Sequence, residues 1–112
     1  MTCHDALSLS TIVQFSRHHP IRVDYIDAVG DDIDLTAWSV QLVVTQPDGT
    51  VARLAGSVTG TDAVVEWSEA AMATVVGLHT AHMWVQSPTA DLRYPSGEIT
   101  WRVTPANAEP FV

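Results

Sequence analysis

Ile33-Asp34-Leu35-Thr36-Ala37-Trp38-Ser39-Val40-Gln41-Leu42-Val43-Val44-Thr45-Gln46-Pro47-Asp48-Gly49-Thr50 is the stretch whose reading decides the fold. Trp38, Val40, Leu42 and Val44 share one side of a period-2 alternation. Ser39, Gln41 and Thr45 take the other, with Val43 the apolar exception. The β-branched valines suit a pleated surface better than a helix. Pro47-Asp48-Gly49 then reverses the chain, since Pro presets φ and Asp and Gly tolerate turn conformations. The reading is a strand of about eight residues, a tight turn and a return strand from Thr50, central to an antiparallel β domain.

Upstream, Leu7 to Phe15 alternates as a first strand, interrupted at Arg17-His18-His19-Pro20, and Ile21, Val23 and Tyr25 restart the pattern. Downstream, Val51 to Val58 reads as a glycine-containing strand, at an edge or bulged near Gly56. Ala63 to Trp67 is a short strand. Ser68 to Ala73 is the one helical segment, with Ser68 placed to cap it and Glu69 in its first turn. So short a helix needs packing to persist, which predicts a crossover lying on the sheets. Leu78 to Gln86 is a clear strand, Pro95-Ser96-Gly97 a turn, and Glu98 to Thr104 the final strand. Residues 1–6 are expected to be a flexible lead, 7–104 one domain, and 105–112 a tail. About seven short strands with one crossover helix predict an immunoglobulin-like antiparallel β-sandwich, with a small barrel as the alternative.

The chain has 112 residues and a net charge of -8, from thirteen acidic residues against five basic ones, all arginine. Arg17, Arg22, Arg53, Arg93 and Arg102 are scattered in sequence, so neither nucleic acid nor an anionic membrane is an expected partner. No apolar run reaches transmembrane length, and the N-terminus lacks the basic region of a secretory signal. The single cysteine, Cys3, forms no intrachain disulfide.

Chemistry is sparse. Asp24, Asp27, Asp31, Asp32 and Asp34 could supply oxygens to Ca²⁺, but their spacing is not that of an EF-hand loop and reads as solvated turn acids. His79 and His82 fall on opposite faces of a strand, and adjacent His18 and His19 also diverge, so no zinc site is expected. No nucleophile elbow or phosphate loop is present, and nothing singles out Glu66 or Glu98 for acid–base work. No catalytic residue, metal ligand or cofactor is therefore assigned. The tryptophans say more. Trp38, Trp67 and Trp101 fall on inward faces as core aromatics. Trp84 shares its face with His82 and Gln86, poor companions for a core, so it either caps the core's edge or stands exposed with them as the candidate interface. An aromatic platform of this kind also binds sugars.

Four segments in this order carry a resemblance: Gly30-Asp31-Asp32-Ile33-Asp34-Leu35-Thr36, Ser39 to Val44, Pro47-Asp48-Gly49-Thr50, and Val65-Glu66-Trp67 followed by the short helix and Gly77-x-His79. They resemble the immunoglobulin-like domain at the start of phage upper baseplate proteins and in other small head and tail proteins of long-tailed phages. Ala37 stands where that family usually has glycine, and His79 where it usually has tyrosine. The resemblance spans about Val23 to Val103. It implies a non-enzymatic virion component, made in the host cytoplasm, that attaches to other virion proteins in a symmetric assembly and could form homo-oligomers. Capsid decoration, a head–tail or tail subunit and a baseplate piece all fit. The alternative is a soluble carbohydrate- or protein-binding sandwich.

Overall fold

A computed structural model describes residues 2–3, 7–8, 11–26, 29–31, 33–89 and 91–108, with side chains described from residue 11 onward. The strands are β1 (Thr2–Cys3), β2 (Leu7–Ser8), β3 (Ile12–Val13), β4 (Ile21–Ile26), β5 (Ser39–Thr45), β6 (Val51–Ala55) and β7 (Ser57–Thr59). After β8 (Asp62–Val65) comes the helix α1 (Glu69–Met72), then β9 (Gly77–Gln86), β10 (Arg93–Pro95) and β11 (Ile99–Thr104). One sheet has the order β1-β4-β8-β7 and the other β2-β11-β9-β5-β6, with β10 also on β9 and β3 also on β11. These are the ABED and A′GFCC′ sheets of the immunoglobulin fold, and α1 occupies the E–F crossover. The molecule is a two-sheet β-sandwich of that order.

The decisive stretch supplies an interior strand of the larger sheet. β5 pairs along its whole length with β9, from Ser39↔Gln86 to Thr45↔Thr80, and on its other side with β6. Val40, Leu42 and Val44 point inward and are buried, as the alternation requires. At the turn, Gly49 N–H donates to Gln46 O at 2.9 Å and Gly49 takes φ 88. Asp48 Oδ1 accepts from Thr50 N–H at 2.9 Å, closing the loop with a side-chain bond.

The structure departs from the sequence reading at several strands and at the start of the helix. Thr2–Cys3, expected in a flexible lead, pairs antiparallel with β4. Leu7–Ser8 and Ile12–Val13, expected in one strand, are separate pieces that run parallel to β11. Arg93–Pro95, expected as the approach to a turn, is a strand on β9. Ser68 precedes the helix without a side-chain cap bond, and its N–H instead meets Met72 Sδ at 3.4 Å.

Gly56 is the largest departure. The stretch expected as one strand changes sheet there: Gln41↔Ala55 belongs to the larger sheet and Ser57↔Val64 to the smaller. A Cβ at Gly56 would lie 2.5 Å from Val64 O and 2.7 Å from Val40 Cγ1, so only glycine fits where the backbone passes between the layers.

The core between the sheets holds Ile21, Val23 and Tyr25 from β4 and Val65 from β8. Facing them are Leu42, Met83, Val85, Ile99, Trp101 and Val103 from the larger sheet. Two polar ties stitch it. Tyr25 Oη donates across the sandwich to Met83 O at 2.7 Å. Where β9 passes from β10 to β11, Ser96 Oγ accepts from Met83 N–H at 2.9 Å, and Ser96 N–H donates to Met83 O at 2.7 Å. A buried strand thus changes partners without leaving that backbone unpaired.

Candidate binding face

The outer face of the larger sheet follows from registry alone. On β9, inward His79, Ala81, Met83 and Val85 are buried, so Thr80, His82, Trp84 and Gln86 point outward. Cross-strand pairing then places Gln41 and Pro95 on either side of Trp84, Ser39 and Arg93 on either side of Gln86, and Val43 beside His82. Arg53 lies beyond Val43 on β6. The predicted trio Trp84, His82 and Gln86 therefore shares one surface, with Trp84 half-buried.

Around Trp84 this surface dips into an open depression of about 520 Å³, lined among others by Ser39, Gln41, Val43, Arg53, Gln86 and Arg93. Arg93 Nη2 donates to Gln86 Oε1 at 3.3 Å. Arg53 and Arg93, scattered in sequence, thus converge on one depression. Their 40-residue separation hid this; only the β10–β9–β5–β6 strand order brings them together. Alternation within β6 and β10 sets both on the exposed side.

The other tryptophans divide. Trp101 is buried at 1% exposure, donates from Nε1 to Met72 O at 2.8 Å, and stacks on His79 at 5.4 Å and 15°. Trp38 and Trp67, expected in the core, are only partly buried and pack against its margin. Both lie just outside a strand end, where cover is incomplete, although Trp67 still meets Trp101 of the opposing sheet at 5.8 Å. Trp38 stacks on Tyr94 at 6.2 Å and 22°. Trp67 donates to Ser16 O at 3.1 Å and walls a groove of about 290 Å³ with Arg17, His18, Glu66 and Glu69.

His79 is fully buried. Its Nδ1 lies 3.3 Å from Gly77 O, while Nε2 has no hydrogen-bond partner among the described residues. Burial holds its pKa below the usual 6.5, only partly offset by the Gly77 carbonyl and Asp48, so the ring is neutral at pH 7. Asp34 Oδ1 accepts from the Thr36 hydroxyl and N–H, and these bonds hold its carboxyl below 3.8. Among the described residues no three His, Cys, Asp or Glu side chains group as metal ligands; Asp27 and Asp32 of the acidic run lie outside them. No helix among the described residues is long and apolar enough to cross a membrane.

Fold and face together define an immunoglobulin-type β-sandwich with an aromatic, arginine-flanked depression on its larger sheet. No protein-family model matches the sequence, and no curated protein matches it.

Proposed function

We propose that this chain is a non-enzymatic structural or accessory subunit of a tailed-phage particle, held to other virion proteins by protein–protein contacts. The observation that carries assembly is the outer edge of β6. Among the described residues β6 pairs with β5 alone, leaving a five-residue edge with one charged side chain, Arg53. Ala52 and Leu54 face the core from this edge and are only partly buried. A strand added by a neighbour would finish covering them and take up the free backbone groups.

Assignment to a particle rests on the resemblance, whose short motifs have physical roles here. Ala37, where the family usually has glycine, has φ 65, in the left-handed region that favours glycine. Gly77 has φ 129, and a Cβ on it would come within 2.8 Å of Pro47 Cβ, so the Pro-Asp-Gly turn and the Gly-x-His opening of β9 are one packed corner. These contacts support a shared architecture; position in the head, connector, tail or baseplate is open to the same test. That test is quantitative mass spectrometry of purified particles, with gold-labelled antibody to locate the chain. High copy number on the head indicates decoration, and a few copies at the tail end indicate a baseplate or connector role. Absence from every particle fraction overturns the proposal. The second reading, a soluble carbohydrate- or protein-binding module, is favoured by the depression around Trp84.

A further inference from the structure

We infer that the depression around Trp84 binds a carboxylate-bearing oligosaccharide, of the uronate or sialate class. Trp84 lies inside the sheet, with β5 on one side and β10 on the other, so no free backbone edge is available there for strand addition. Only side chains can read a ligand, and the half-buried indole is suited to stack against the apolar face of a sugar ring. The depression is open to solvent on one side and, at about 520 Å³, has room for a sugar ring. Gln41 lies opposite the indole on β5, its amide carrying both donor and acceptor for a hydroxyl. Gln86, two residues along β9, offers its amide N–H groups while its Oε1 accepts from Arg93.

The arginines specify the charge. Among the described residues the one ion pair is Arg22–Asp62, so Arg53 and Arg93 have no carboxylate partner there. In a chain of net charge -8, two such guanidiniums around one aromatic make an anion-selective spot. Guanidinium matches carboxylate geometry through two parallel N–H bonds. The Arg93–Gln86 bond at 3.3 Å engages one Nη2 N–H and leaves the rest of the fork for a ligand.

The test is calorimetric titration of the full chain with oligogalacturonate, oligoglucuronate and oligosialate, using neutral maltotetraose and hexaglutamate as contrasts. At least one acidic sugar should bind saturably, more weakly as salt rises, and roughly tenfold or more tighter than maltotetraose. Arg53→Gln with Arg93→Gln should remove most of that preference. Trp84→Ala should abolish binding while Trp84→Phe retains it, with unchanged far-ultraviolet dichroism in each. Absence of saturable binding to all three acidic sugars overturns the inference. So does binding to hexaglutamate alone, or binding that survives Trp84→Ala. Because the purified chain is used, the outcome is independent of whether it resides in a particle.

Discussion

Replacing Gly56 by alanine tests the sheet change directly. The added Cβ would sit 2.5 Å from Val64 O, 2.6 Å from Val65 Cγ2 and 2.7 Å from Val40 Cγ1, against 3.4 Å where ordinary contact begins. Val64 O is backbone in the β7–β8 pair, so it moves only if the strands part. Gly56 N–H also donates to Val40 O at 2.9 Å, which ties the same point to the opposite sheet. Overpacking of a rigid site costs about 1–3 kcal/mol or more, while alanine restricts the unfolded chain by about 0.4–1 kcal/mol in its favour. The net expectation is a loss of about 1–2 kcal/mol at 25 °C. Urea unfolding followed by tryptophan fluorescence should show the midpoint falling by about 1 M with an unchanged slope. Ser57→Ala, at an exposed neighbouring position, should stay within about 0.5 kcal/mol of the parent. A Gly56→Ala midpoint matching that of the parent would refute the close passage between layers.

Ala37→Gly should stabilise the protein by about 0.5–1 kcal/mol, because relief of left-handed strain exceeds the entropy glycine adds to the unfolded chain; a fall in melting temperature would count against the φ of 65. Tyr25→Phe removes the bond to Met83 O and should cost about 1 kcal/mol, measured by urea midpoint, with Met83 O still satisfied by Ser96 N–H. Trp101→Phe should cost more, about 2–3 kcal/mol, since it leaves the buried Met72 carbonyl without the indole donor and opens a cavity. Acid should destabilise the fold through His79. Below its unfolded value of 6.5 the unfolded chain takes up a proton that the buried ring resists, so stability falls as pH drops through that value. The slope is at most about 1.4 kcal/mol per pH unit, and the loss levels off once the folded ring protonates too. His79→Phe should flatten this limb between pH 7 and 5; an unchanged limb would assign it elsewhere. A separate loss is expected below about pH 3.8, where Asp34 and Asp48 lose the turn bonds that hold their pKa down.

Much of the site was readable before the tertiary structure. Alternation placed Trp84, His82 and Gln86 on one face, because side chains two apart on a strand must share a side, and the sheet packing turns that face outward. The same alternation put His79 on the opposite face, which the packing of the two sheets then buries. Alternation could not say how far a strand's cover extends, so Trp38 and Trp67 received an inward sense without the partial exposure they have beyond the strand ends. Ser68 had the chemistry of a cap and makes no such bond, since a four-residue helix here is held by the burial of Ala71 and Met72 rather than by its end groups.

The sequence by itself determined the β class, the central strand and its turn, and the side on which most residues of each strand lie. Those properties depend on neighbours one to four residues apart: pleat, β-branching, and the φ values open to Pro, Asp and Gly. Only the tertiary structure decided that the chain changes sheets at Gly56, that Leu7–Ser8 and Ile12–Val13 lie parallel to β11, and that Arg53 and Arg93 meet beside Trp84. Each of these depends on which distant strands become neighbours. Strand pairing is chosen by burial of the whole inner surface, a property of the two sheets together that no local window contains.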